Sequence, residues 1–118
     1  MLFRSPVSYA GEVLAHDPLR HDTSRLLTDG NVDALLWVSS FSDRPPPTTD
    51  LPRIVIGTAG TVAPAPNTVC LPVGTPGVDH AGQLLRTDGV VALPVQALLD
   101  RKLPSAASVL SALLARLD

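Results

Sequence analysis

The sequence holds a single cysteine, Cys70, so no disulfide framework forms within the chain and these residues supply one thiolate where an iron–sulfur cluster needs four. Aromatic residues are scarce at 3%, and Lys102 is the sole lysine. The first shortage leaves an aliphatic core of Leu, Val, Ile and Ala. The second, with a net charge of −2 and a pI near 5.8, leaves no basic stripe and excludes nucleic acid as a partner. No apolar run approaches the roughly 20 residues of a membrane span, and Met1 to Pro6 lacks the apolar stretch of a secretory signal. A cytoplasmic protein without membrane contact is expected.

What is present is punctuated. The 118 residues fit one domain, 1–118, with 45% hydrophobic residues, 12 prolines and 8 glycines clustered between short apolar runs. A short helix is expected over Tyr9 to Ala15, broken by Pro18. A second has Asp22 or Thr23 as cap, Ser24 to Leu27 as body and Asp29-Gly30-Asn31 as stop. Val32 to Ser40 reads as a strand covered on both faces, the habit of parallel sheets. FSDRPPPTTDL, 41–51, is then a stiff connection, because Pro45-Pro46-Pro47 joins neither a sheet nor a helix interior.

Pro52 to Gly57 and Thr68 to Val73 read as two further strands, with Pro72 marking an edge or an early end. Gly74 to Thr87 reads as loop, and Asp88-Gly89 turns the chain into a fourth strand, Val90 to Leu93. Pro104 suits the first turn of a final helix whose stripe is Leu103, Leu110, Leu113, Leu114 and Leu117. The fold class is α/β: a small, mostly parallel sheet flanked by a few helices. That is too few helices to cover both faces of the sheet, which points to cover from a partner.

Candidate chemistry is thin. His16-Asp17 and His21-Asp22 place two histidines five apart, on different helical faces, where helix-borne zinc ligands stand about three or four apart. Capping accounts for these residues better. Asp79-His80 could orient a general base, yet no nucleophile follows at a recognisable spacing. Ser39-Ser40 ends a buried strand, where open α/β sheets bind ligands, without a nucleophile elbow around it. The loops Gly57 to Thr61 and Gly74 to Gly77 offer backbone N–H groups to an anion, but neither has a dinucleotide or P-loop pattern. Cys70 and Trp37 read as core.

DALLWVSSF (33–41), LPRIVIGT (51–58), VCLPVGTPGVDHAGQLLRTDGVVALP (69–94) and LPSAASVLSALLARL (103–117) together resemble the C-terminal part of the B subunit of formylmethanofuran dehydrogenase. The nearest likeness is to its bacterial counterpart, the reduced B subunit in the formyltransferase/hydrolase complex of methylotrophs. Val69 to Val73 followed by Gly82 to Val90 is the most specific stretch, and the likeness runs from about His21 onward. The resemblance implies a remnant of a molybdopterin-oxidoreductase-type domain. In the dehydrogenases that polypeptide carries a bis-pterin tungsten or molybdenum centre, a cysteine or selenocysteine metal ligand and a cluster on N-terminal cysteines. None of those motifs can be placed here, and Cys70 lies away from the expected ligand position.

A non-catalytic structural subunit is therefore expected, with no cofactor and no metal. By the same resemblance it serves tetrahydromethanopterin-linked one-carbon metabolism (formaldehyde oxidation) and holds an amidohydrolase-type A subunit, a solenoid-type C subunit and a formyltransferase D subunit together. The alternative is a small ligand-binding domain that keeps a pterin, nucleotide or methanofuran-type carrier, with Arg86 as anion clamp. Hydrolysis by Asp79 and His80 is a remote third reading.

Overall fold

The computed structural model describes residues 7–8, 13–61, 63–86 and 88–117. The elements are β1 (Val7–Ser8), β2 (Ala15–His16), α1 (Thr23–Thr28), β3 (Leu35–Ser39), β4 (Arg53–Gly57), β5 (Thr68–Pro72), β6 (Gly82–Leu85), β7 (Ala92–Val95) and α2 (Ala106–Leu114). The main sheet is β3-β4-β5, parallel throughout; β1-β2 and β6-β7 are separate antiparallel pairs.

The helix ends follow local chemistry. Asp22 caps α1 by accepting from the Ser24 and Arg25 amides, and Gly30 beyond it takes φ 67°, the left-handed value that glycine adopts without strain. Ser105 caps α2 by accepting from the Ser108 amide. Pro104 therefore precedes the cap instead of opening the first turn. The helix ends at Leu114, which leaves Leu117 exposed in the turn that follows.

Three expectations need correction. Tyr9 to Glu12 lie outside the described residues, and Ala15–His16 is a strand paired with Val7–Ser8, so helix does not extend over Ala15. Gly82–Leu85, read as loop, is a strand, and its partner runs Ala92–Val95 instead of Val90 to Leu93. The two make a hairpin of their own, because the Asp88-Gly89 turn joins them before either can reach the parallel sheet. Finally, the sheet is not covered on both faces.

The parallel register aligns Leu36, Ile54 and Val69, and next to them Val38, Ile56 and Leu71, on one face. The other face carries Leu35, Arg53 and Thr68, then Trp37, Val55 and Cys70. Among the described residues only Val55, Ile56 and Val73 are buried apolar side chains, while Leu36, Val38 and Val69 remain 52%, 44% and 56% exposed. The accessible surface of 8750 Å² exceeds the about 6100 Å² typical of a folded monomer of 12.4 kDa. The radius of gyration, 15.7 Å, likewise exceeds about 13.5 Å. This chain buries little for its size.

Among the described residues neither crossover between parallel strands contains a helix. The first, 40–52, carries the triple proline over the Trp37 face. Trp37 Nε1–H donates to Arg44 O at 3.2 Å, Arg53 Nη1 to Pro47 O at 3.4 Å, and Arg53 Nε to Thr68 Oγ1 at 2.7 Å. Pro45, Pro46 and Thr48 line one cleft with Val55 and Ala63, while Thr23 and Ser24 of α1 line another with Trp37 and Pro47. A polyproline segment thus substitutes for the usual crossover helix, with α1 beside it.

Candidate functional site

The carboxyl ends of β3, β4 and β5 are where an open parallel sheet holds a ligand. Strand order here follows chain order, so no topological switch point opens a crevice. The loops at this end are closed by their own side chains. Ser39 Oγ donates to Ser42 O at 2.9 Å, and Thr61 Oγ1 to Ser42 O at 2.8 Å. Thr58 Oγ1 donates to Asp43 Oδ1. The Asp43 carboxylate lies so close to Gly60 that a Cβ there would stand 2.5 Å from its Cγ. The expected anion site at Gly57 to Thr61 therefore holds the chain's own negative charge.

The second glycine loop is filled in the same way. Asp79 Oδ2 accepts from the Thr75 amide at 2.8 Å, and Asp79 Oδ1 accepts from Arg101 Nε. The Asp79 side chain is only 3% exposed, and the pair ties this loop to the segment before α2. Gly74 N donates to Pro104 O, and the Leu98 and Leu99 amides to Val78 O, along the same seam. The Thr75 amide, and secondarily Arg101, holds the Asp79 carboxyl below its ordinary value against the opposing effect of desolvation.

Asp79 does not orient His80. Both of its oxygens are engaged elsewhere, while His80 Nδ1–H donates to Ala81 O at 2.8 Å and Nε2 is buried without a partner. This geometry gives the Asp–His base reading no support. Arg86 sits at the hairpin tip, 56% exposed on its side chain, with Nε 2.8 Å from Asp88 Oδ2 and Nη2 on the same oxygen. Asp88 also accepts from the Val90 amide, so the pair shapes the turn. That hydrogen bond to Asp88 raises the Arg86 guanidinium above its ordinary value, and the same contact lowers Asp88. The clamp expected of Arg86 is already closed on Asp88.

Asp17 accepts from the Leu19 and Arg20 amides of the turn that follows it, which hold its carboxyl low, and Asp22 caps α1, so the expected capping role falls to Asp22 alone. Among the described residues no group of three or more His, Cys, Asp or Glu side chains could hold a metal ion. Cys70 is half-buried with Sγ 3.4 Å from Ala63 O, and a lone thiol on the sheet does not fit the donor set of a cluster. Trp37 is half-buried and pins the proline connector, so it is not the deep core residue expected.

Nothing in the sequence marks Asp43, Arg101 or the strand β6. Asp43 meets Thr58 across 15 positions and Asp79 meets Arg101 across 22, and no local spacing announces either. Among the described residues, the open face of the parallel sheet is apolar. Leu36, Ile54 and Val69 line an open groove of about 330 Å³ with Pro52 and Asn67. No helix among the described residues is long and apolar enough to cross a membrane.

Neither a family model nor a curated protein matches the chain. Among solved structures it is similar to a chain of the formyltransferase/hydrolase complex of Methylorubrum extorquens, crystallised with methylofuran. The TM-score is 0.71 and the identity 30%, over 94% of this chain and 32% of that one. This chain thus spans about a third of the length of its structural neighbour.

Proposed function

We propose that this protein is a non-catalytic member of a formyltransferase/hydrolase-type complex, the counterpart of part of its B subunit, and that it joins the catalytic subunits by packing between them. The observation that carries this reading is the likeness over 94% of the chain to a chain of such a complex. Its physical support is the exposed aliphatic surface, since a chain with three fully buried aliphatic side chains among the described residues gains its remaining burial from neighbours. The neighbour's assembly is named for both transfer and hydrolysis, and this reading assigns those activities to other subunits. The carrier-binding alternative loses support because Asp43 and Asp79 fill the two loops it would use and Asp88 engages Arg86.

Co-expression of the untagged chain with the amidohydrolase-type, solenoid-type and formyltransferase subunits tests the proposal. Stoichiometric co-purification is expected, with hydrolysis unchanged by His80→Ala within the assembled complex. A chain that is fully folded and monodisperse alone and shows no binding to the amidohydrolase-type subunit would overturn it.

A further inference from the structure

The four edges of the β3-β4-β5 sheet and the β6-β7 pair differ in a way that selects one of them for pairing. In β5 the amide of Val73 donates to Gly57 O and Asn67 O accepts from the Arg53 amide, so the odd-numbered positions face β4 and the even-numbered ones face outward. Pro72 occupies an outward position and removes the N–H an added strand would use. In β7 the Arg86–Val91 bond makes Leu84–Leu93 and Gly82–Val95 the hydrogen-bonded pairs, so the nitrogen of Pro94 also faces outward. Two edges are closed by proline. Of the two left open, β6 is bounded by Gly82 and the charged Arg86 and belongs to a two-stranded hairpin.

The other open edge is β3. Leu35 N donates to Pro52 O and Ser39 O accepts from the Thr58 amide, which turns the backbone groups of Leu36 and Val38 away from β4. Among the described residues neither has a strand partner on that side, both side chains are about half exposed, and the strand LLWVS carries no charge. We propose that this edge is a two-fold interface with a second copy of the chain, with β3 paired antiparallel to β3 about Trp37.

The strand is self-complementary in that register. Leu36 faces Val38 of the second copy twice, giving four main-chain hydrogen bonds, and Trp37 faces its own mate in a close non-hydrogen-bonded pair. Asp33 falls opposite Phe41, so no like charges meet. On the groove face the rows join across the seam: Val69, Ile54 and Leu36 continue into Val38, Ile56 and Leu71 of the second copy. The result is one six-stranded sheet whose outer edges both end in β5 with its Pro72. The pairing adds burial to a chain whose accessible surface, 8750 Å², exceeds the about 6100 Å² of a folded monomer of its size. Self-pairing of β3 is independent of membership in the larger complex and is tested on the full chain by itself.

Light scattering of the full chain over a micromolar concentration series should give the mass of a dimer, with concentration-dependent emission from Trp37 at the seam. Val38→Pro does to β3 what Pro72 and Pro94 do to their strands, and should give a folded monomer by circular dichroism. Leu85→Pro, on the outer edge of β6, should leave the dimer intact. If Val38→Pro unfolds, Leu36→Cys/Val38→Cys in a Cys70→Ser background should oxidise to a covalent dimer linking position 36 to position 38. A monomer at all concentrations overturns the proposal. So do a dimer that survives in folded Val38→Pro, or one lost in Leu85→Pro alone, or cross-links of 36 to 36 or 38 to 38.

Discussion

The two faces of the β3-β4-β5 sheet are built from similar strands and end in opposite conditions. Over the Trp37 face the chain lays its own proline connector, held by the Trp37 indole and the Arg53 guanidinium, with α1 beside it. Over the opposite face it leaves Leu36, Val38 and Val69 open, and closes only around Ile56. Aliphatic patterning alone does not distinguish these faces. What decides is which connection crosses which side, and a crossover of prolines is long enough for one face only. The bare face is the one left to a partner.

Substitutions on either face separate the two conditions. Ile56 lies at the middle of the sheet with no exposure, and Ile56→Ala should cost about 2–5 kcal/mol in urea unfolding, enough to unfold a domain with so small a core. A loss under about 1 kcal/mol would mean that the burial is not sustained in solution. Trp37→Phe keeps the ring but removes the donor to Arg44 O, and should cost about 1 kcal/mol with faster proteolysis in the 44–48 connector.

Asp79→Asn probes the ends of the strands instead of their faces. Because the folded-state carboxyl is held low, its contribution is present above the ordinary carboxylate range and is lost as pH falls through the lowered value. Wild type should therefore melt above Asp79→Asn at about pH 7, with the two Tm values converging in acid. Equal melting at neutral pH would deny the Arg101 clasp a role. The smallest effect belongs to the open face: Val69→Thr should change the stability of the isolated chain by no more than about 0.5 kcal/mol. A cost near that of Ile56→Ala would show that the face is covered in solution.

Much of this fold was legible. Asp22 and Gly30 bracketed α1, the runs at 32–40, 52–57 and 68–73 contained the three parallel strands, and Pro72 marked β5 as an edge. The leucine spacing disclosed α2. Gly82 to Leu85 was illegible because glycine and glutamine weaken a strand signal, and its pairing depends on the later Ala92–Val95 segment. The site was less legible. Gly57, Gly60 and Gly74 advertise room for a ligand in sequence, whereas Asp43 and Asp79 arrive in that room from positions whose approach only the folded chain creates. Arg86 looked free because its partner, Asp88, also looked like a turn residue, and it is both.

Those two aspartates also act as stoppers. Asp79 satisfies the Thr75 amide and Asp43 the Thr58 hydroxyl, so each loop is closed by the chain itself and presents a carboxylate where an anion would otherwise sit. Exchanging Asp79 for glycine would release the Thr75 amide and Arg101 together, leaving a donor and a cation side by side. Closure of that loop thus rests on one side chain, the Asp79 carboxylate.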